Sequence, residues 1–360
     1  MREPATRILG PDDRALDELC HRLAALSARP GADLTWPQAQ LDLCARHGVF
    51  EWVIAPEWGG QGWRQVDVLR AYLRLAAACL TTTFVLTQRT SACRRIAVSD
   101  NDWARSQLLP GLASGARHVT LGVSHLTTSR RHLSQPVLRA RPTAGGYVLD
   151  GYTPWVTGAR HADHVVVGAA LADGQQILVL LGVDRPGVTI GEDLPLIALS
   201  GSATAEVRCA EVEVARECLL HGPSANVVRQ GLGARTGGLQ TTTLALGLAA
   251  RAVEFLAGEG RGRPAVERAA SRLRGRLDRE IAELLRAESG ASSAESADLR
   301  LRANALVLEA TQAALTAAKG SGYVRGHPAG LGAQQALFFQ VWSVPPAVID
   351  AALERLPGDP

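Results

Sequence analysis

The feature that most constrains this chain is a change of hydrophobic period, from helical to alternating and back to helical, over its 360 residues. Apolar side chains recur at three- and four-residue spacing in Ala15-Leu16-Leu19-Leu23-Leu26, Leu41-Leu43-Cys44-Val49 and Val68-Leu69-Tyr72-Leu73-Ala76. That spacing puts them on one stripe of an α-helix. Pro11 and Pro37 fall at or just before helix starts, where a missing N–H costs little. From about Arg117 to His221 the period drops to two. The β-rich runs 118–124, 137–140, 147–149, 164–169 and 177–181 are separated by the turn signals Ala144-Gly145-Gly146, Asp150-Gly151 and Asp173-Gly174. Tyr147-Val148-Leu149-Asp150-Gly151-Tyr152 is predicted to enter a tight hairpin, and 209–220 to add another strand. Strands at this spacing with no helix between them point to a barrel or sandwich.

From about Ser224 the helical period returns. The segments 244–256, 265–285, 299–318 and 337–356 are predicted helices, with a small polar linker at 288–295, and four long helices point to a bundle. The expected class is therefore α+β: an N-terminal helical domain (1–116), a middle β-barrel or sandwich domain (117–222) and a C-terminal four-helix bundle (223–360). A chain of this length is expected to hold several packed subdomains rather than one small core.

Composition removes several function classes. The net charge is +3, and the basic residues, all arginine except Lys319, form no dense tract, so nucleic acid is not an expected partner. No run of about 18 apolar residues is present, so no membrane span is expected. The opening MREPATRILGPDDR lacks a signal-peptide apolar stretch. Cys20, Cys44, Cys79, Cys93, Cys209 and Cys218 form no C-x-x-C pair and read as buried thiols in a reducing compartment. A cytoplasmic protein with no metal site is expected.

Local sequences then carry a resemblance. Ala55-Pro56-Glu57-Trp58-Gly59-Gly60-Gln61-Gly62 resembles the P-E-x-G-G-x-G turn of the acyl-CoA dehydrogenase family. Leu109-Pro110-Gly111-Leu112-Ala113-Ser114-Gly115 is similar to its L-P-x-L-x-S-G segment. The stretch from Gly146 to Thr157, with Tyr152-Thr153-Pro154-Trp155-Val156-Thr157 at its end, is similar to its G-Y-x-L-x-G-x-K-x-W-I-T signature, and His161-Ala162-Asp163-His164-Val165-Val166-Val167 to the strand that follows. Gly320-Ser321-Gly322-Tyr323 resembles its G-G-x-G-Y turn. The pieces occur in the family's order and cover about residues 10–345.

The resemblance implies an FAD-dependent oxidoreductase, a flavoprotein acting on an acyl-CoA-like small molecule, with a possible electron-transfer partner. It also implies a homodimer or homotetramer. It implies that Ser124 offers its hydroxyl to the pyrimidine side of the flavin, that Thr157 hydrogen-bonds near N5, and that Trp155 packs on the ring. Donors at those positions stabilise charge on a reduced flavin. It further places Gly320 and Gly322 near the FAD pyrophosphate of a neighbouring subunit. Read alone, Ser124 is a cross-strand hydroxyl, Trp155 a core aromatic, Thr157 a β-former, and the two glycines a helix end.

The resemblance breaks where proton abstraction from a thioester needs a carboxylate base. The family's E-G-T segment corresponds to Phe339-Gln340-Val341-Trp342-Ser343-Val344-Pro345-Pro346, and the base position reads Ser343. The alternative place for a base, an earlier helix, reads Arg235-Thr236-Gly237-Gly238-Leu239 and is also without an acid. The acidic loop after the flavin strand becomes Ser124-His125-Leu126-Thr127-Thr128-Ser129-Arg130, the R-x-x-F-G segment becomes Gly260-Arg261-Gly262-Arg263-Pro264, and R-D-A-R becomes Ala333-Gln334-Gln335-Ala336-Leu337. His125 is a titratable side chain beside the expected site; it reads as a replacement base or as a loop histidine. Asp350 and Glu354 are expected on a solvated helix face. Three readings follow: a dehydrogenase with a displaced base, a flavin monooxygenase or oxidase that needs none, and a catalytically inactive structural or regulatory homologue.

Overall fold

The computed structural model describes residues 6–127, 136–229, 239–292 and 294–354. It has helices at both ends of the chain and a β-region between them. The N-terminal helices are α1 (Arg14–Ser27), α2 (Gln38–Arg46), α3 (Gln65–Ala78), α4 (Leu80–Ala97) and α5 (Asp102–Ser114). Asp13 caps α1 by accepting from Ala15 N, and Asn101 caps α5 by accepting from Ala104 N. The Pro56-Glu57-Trp58 turn folds tightly back on its own approach: a Cβ on Gly60 would lie 1.8 Å from the Ile54 carbonyl oxygen.

The middle region holds β1 (Val119–Gly122), a single helical turn α6 (Ser124–Thr127), β2 (Leu138–Thr143), β3 (Gly146–Val156), β4 (His164–Ala170), β5 (Gln176–Gly182), β6 (Val188–Ile190), β7 (Ala205–Ala215) and β8 (Leu219–Ser224). The strands form one connected eight-stranded sheet ordered β6-β7-β3-β2-β4-β5-β8, with β1 parallel to β4. Along β4, residues 164–167 pair with β1, and only Ala170, at its end, pairs with Arg139 of β2. One strand thus passes from one leaf to the other, the corner that a sandwich or barrel requires. Apolar residues of both leaves, Leu138, Leu149, Val165, Val167 and Val207, share one core.

The hairpin is not where Asp150-Gly151 predicts it. β2 turns into β3 at Ala144-Gly145, and β3 runs unbroken through Gly151. Gly151 has φ +120°, and a Cβ there would meet the Val137 carbonyl oxygen at 2.1 Å. The glycine marks an irregularity in the pairing with β7 rather than a turn. The predicted strand over 209–220 is likewise two strands, β7 and β8, separated at Arg216–Cys218.

The C-terminal helices are α7 (Leu239–Glu259), α8 (Pro264–Glu288), α9 (Ser296–Ala318), α10 (Pro328–Val341) and α11 (Pro346–Glu354). The predicted helix over 337–356 is in fact the end of α10, a break at 342–345, and α11. α7 lies so close to α3 that a Cβ on Gly247 would sit 2.6 Å from the Ala76 Cβ. All six cysteines are free, five of them buried. No single helix among the described residues is long and apolar enough to cross a membrane.

Gly60 and Gly258 separate close approach from mere helix content. A Cβ on Gly258, within α7, meets nothing within 4 Å. Gly60→Ala is expected to lower unfolding free energy by about 3 kcal/mol in urea titrations, and Gly258→Ala to raise it by up to about 1 kcal/mol. Equal effects would refute the Gly60 packing.

Candidate functional site

Two indoles meet where β3 and α10 end. The Trp155 and Trp342 rings stand edge to face, with centroids 6.5 Å apart at 85°. Trp342 also stacks on Phe338 at 5.3 Å and 23°. Phe84 of α4 meets both with its edge, each at 4.9 Å. Phe84 is buried, and the other three rings are half-buried. Each such contact contributes about 0.5–1.5 kcal/mol beyond burial, so three elements are locked around one aromatic surface.

Local sequence explains why α10 stops there. Pro345 and Pro346 disfavour helical backbone at the residues before them. Trp342 is extended, and Ser343 is left-handed at φ +48°. The helix end leaves carbonyls without partners, and α9 supplies donors. Arg300 Nη2 donates to Phe339 O at 3.3 Å and Trp342 O at 3.1 Å, and Asn304 Nδ2 donates to Phe339 O at 2.8 Å. Arg300 is fully buried with no ion pair among the described residues. Burial pushes its pKa down to about 9, which leaves it charged at neutral pH.

Ser124 does not lie on a strand as expected. β1 stops at Gly122, and Ser124 opens the single turn α6, which packs on β3. Its Oγ and the Thr153 Oγ1 are buried without a hydrogen-bond partner among the described residues. Thr157 is buried, and its hydroxyl lies 3.1 Å from the Thr204 hydroxyl, which is 2.9 Å from the Ser202 hydroxyl. Thr120 Oγ1 donates to Thr157 O at 2.7 Å. Sequence reasoning singled out Thr157 but not Thr120, Ser202 or Thr204. No spacing marks them; Thr120 lies on β1, Ser202 in the turn Ser200–Ser202, and Thr204 just before β7.

His125 is buried. Its Nε2 lies 2.8 Å from Gly168 O, and a carbonyl oxygen only accepts, so Nε2 carries the proton. Nδ1 is then an unprotonated, unpartnered buried atom. Desolvation, opposed by the Gly168 bond, pushes the pKa down to about 4, far from the value that suits a general base at neutral pH.

Gly320 and Gly322 lie in the turn Lys319–Tyr323 after α9, whereas Arg300 is near its start. The 23 residues of α9 span about 35 Å, so one chain does not bring these glycines to the Trp155 cluster. Gly322 is a packing glycine, since a Cβ would lie 2.9 Å from Ala318 Cβ and Leu315 Cδ1; Gly320 faces open space. Arg263 is tied down, donating to Glu259 Oε2 at 3.1 Å and Ala317 O at 3.0 Å, while Arg261 is exposed. Asp350 and Glu354 are exposed on α11. Thr128-Ser129-Arg130 and Arg235-Thr236-Gly237-Gly238 lie outside the described residues. No cluster of potential metal ligands occurs among the described residues.

No protein-family model matches the chain. Over 208 residues it is 27% identical to a probable acyl-CoA dehydrogenase of Bacillus subtilis, covering 55% of this chain and 53% of the relative. Over 191 residues it is 25% identical to an isobutylamine N-hydroxylase of Streptomyces viridifaciens, covering 51% and 50%. The chain thus spans about half the length of the curated relatives it matches. The fold superposes on butyryl-CoA dehydrogenase of Megasphaera elsdenii with a TM-score of 0.82 and 17% identity, covering 95% and 98% of the two chains. It also superposes on an FMN-bound dibenzothiophene monooxygenase from a Paenibacillus species, with a TM-score of 0.80 and 18% identity, covering 96% and 98%.

The His125 environment gives a pH prediction. Its folded pKa of about 4 lies below the ordinary histidine value near 6.5, so the unfolded chain takes the proton more readily. The stabilisation is present above about pH 6.5 and is lost as pH falls toward 4, at up to about 1.4 kcal/mol per pH unit. His125→Gln keeps a donor for Gly168 and is expected to flatten the fall in urea midpoint between pH 6.5 and 4. An unchanged slope would refute the assignment.

Proposed function

We propose that the chain is a divergent member of the acyl-CoA dehydrogenase family, and that it is a flavin-dependent oxidoreductase of the monooxygenase or oxidase type rather than a thioester dehydrogenase. One observation carries the choice. Where the family resemblance puts the catalytic base, the chain places Ser343 beyond Trp342, whose ring abuts Trp155. A serine without a basic partner cannot take a proton from carbon at neutral pH.

The residues present fit a flavin. Ser124 Oγ and Thr153 Oγ1 are buried hydroxyls with no partner among the described residues, and such groups carry a cost that a hydrogen-bonding ligand removes. Ser124, Trp155 and Thr157 would hold the ring: Ser124 as a donor, Trp155 as an apolar face, and Thr157 from within its hydroxyl chain to Thr204 and Ser202. A bound flavin supplies the redox chemistry. The half-buried Phe338 and Trp342 would exclude water from the same cleft and offer a planar apolar wall to the substrate. Gly320 and Gly322, about a helix length away, would serve the cofactor of a neighbouring copy, so the active form would be a homodimer or homotetramer. An electron-transfer partner would supply reducing equivalents, and a cytoplasmic location fits the unpaired cysteines.

The dehydrogenase reading is favoured by probable acyl-CoA dehydrogenases of Bacillus subtilis at 27% and 28% identity. The visible spectrum of the purified protein, with and without added FAD or FMN, tests both. The expected result is bound flavin that no anaerobic panel of acyl-CoA thioesters bleaches. Bleaching by the wild-type protein would overturn the base-free reading, and failure to bind any flavin would overturn both. Ser343→Glu is expected to create or raise thioester-dependent bleaching, and Trp155→Ala to weaken flavin binding roughly tenfold, the equivalent of about 1.4 kcal/mol.

A further inference from the structure

Two turns carry the hydroxyl chain that ends at Thr157, and one segment of the N-terminal region grips both. Residues 28–37 link α1 to α2. Asp33 O accepts from Gly201 N at 2.8 Å, and a Cβ on Gly201 would lie 2.5 Å from Thr35 O. Trp36 stacks on His161, with ring centroids 4.1 Å apart at 8°, and a Cβ on Gly158 would lie 2.7 Å from Trp36 Cη2. Gly158 follows Thr157, and Gly201 precedes Ser202. We propose that Trp36 is a positioning residue: by clamping these two turns, the segment 33–36 fixes the hydroxyls of Ser202, Thr204 and Thr157 in line, and with them the hydrogen bond that Thr157 offers the flavin. The proposal rests on the flavin reading above and adds to it a control from outside the β-region.

The turn that carries Ser202 needs holding. It is entered through Leu199 at φ +64° and left through Ala203 at φ +47°. Left-handed backbone is unfavourable at a residue with a side chain, and it persists where the surroundings over-determine it. Three contacts do so. Leu199 is buried in the core of the C-terminal helices. Gly158 N donates to Ser202 O at 2.9 Å and to Ala203 O at 3.0 Å. Asp33 O takes the Gly201 N–H. The first two belong to the core and to the β-region; the third comes from the segment that also lays Trp36 on Gly158. At both turns the residue against that segment is a glycine, because the segment leaves no room for a side chain. The close approach is therefore written into three separate parts of the sequence.

The hydroxyl chain is what such a clamp would serve. Each of its three hydroxyls has one proton. The Thr157 hydroxyl lies 3.1 Å from that of Thr204, which lies 2.9 Å from that of Ser202. For Thr157 to donate outward it must accept from Thr204, and Thr204 must accept from Ser202, so the chain runs in one direction. A displacement of either turn by about half an ångström takes these bonds to the limit of hydrogen bonding. Donation from Thr157 to an acceptor on the flavin favours the reduced form, on which negative charge develops. The position of the Ser202 turn thus reaches the flavin through two hydrogen bonds, and Trp36 acts on it without touching the cofactor.

The test uses the full chain, first without and then with flavin. In the flavin-free protein, amide exchange at Gly158 and Gly201 is expected to rise about tenfold in Trp36→Ala. Trp36→Phe keeps a ring on His161 and is expected to stay near wild type. In the flavin-loaded protein, the ratio of reduced to oxidised flavin at a fixed potential is expected to fall about tenfold in Trp36→Ala, the equivalent of about 30 mV for a two-electron couple. Thr157→Val is expected to lower the ratio as far, and the double variant no further than Thr157→Val alone, because Trp36 acts through Thr157. Gly201→Ala pushes the segment off through Thr35 O; the same fall is expected there, and it carries the test if Trp36→Ala does not fold. Unchanged exchange in Trp36→Ala, an unshifted ratio, or effects that add in the double variant would overturn this proposal alone. A wild-type chain that binds no flavin would overturn the flavin reading and this proposal with it.

Discussion

One helix, α4, belongs to the three large cores of the structure. Leu80 and Phe84 pack with the C-terminal helices, Val85 and Leu86 with the N-terminal helices, and Ala92, Cys93 and Ile96 with the β-region. A helix surrounded in this way has no fully exposed residue, so its buried polar residues must be satisfied from within. Thr83 donates to Cys79 O and Thr87 to Phe84 O, each within its own helix or cap. Arg89 reaches Phe50 O and Leu112 O and lies 4.1 Å over the Phe50 ring, fixing the end of α5 against the turn at Val49–Glu51. The Trp155 cluster depends on this helix, because Phe84 is the ring that touches both Phe338 and Trp342.

The second fixed point is the end of α10. Two prolines stop the helix, and Arg300 with Asn304 takes the freed carbonyls. The turn that carries Trp342 and Ser343 is therefore held from behind by a buried cation rather than left as a loop. Ser343 sits in the left-handed region, unusual for a residue with a side chain, and that conformation is maintained because both its neighbours are anchored: Trp342 by Arg300 and by its ring contacts, Val344 by burial in a small core with Leu301 and Val348. The turn where the resemblance puts a carboxylate, and where this chain has Ser343, is thus anchored on both sides.

Much of this was legible in the sequence, for identifiable reasons. The change of period located the β-region because its strands bury one face or both, and the amphipathic helices α1, α3 and α8 announced themselves through their stripes. α4 gave no stripe to read, since nearly every face of it is buried. Asp150-Gly151 misled because the same dipeptide that favours a hairpin also suits an irregular strand position where a neighbouring backbone leaves no room for a Cβ. Ser124 was expected on a strand because its run alternates correctly, yet β1 ends two residues earlier. At the site, Trp155, Thr157 and Ser343 could be singled out through motif order. The hydroxyl chain from Thr157 through Thr204 to Ser202, the Thr120 bond to Thr157 O, and the aromatic partners Phe84 and Phe338 are products of tertiary packing and have no local signature.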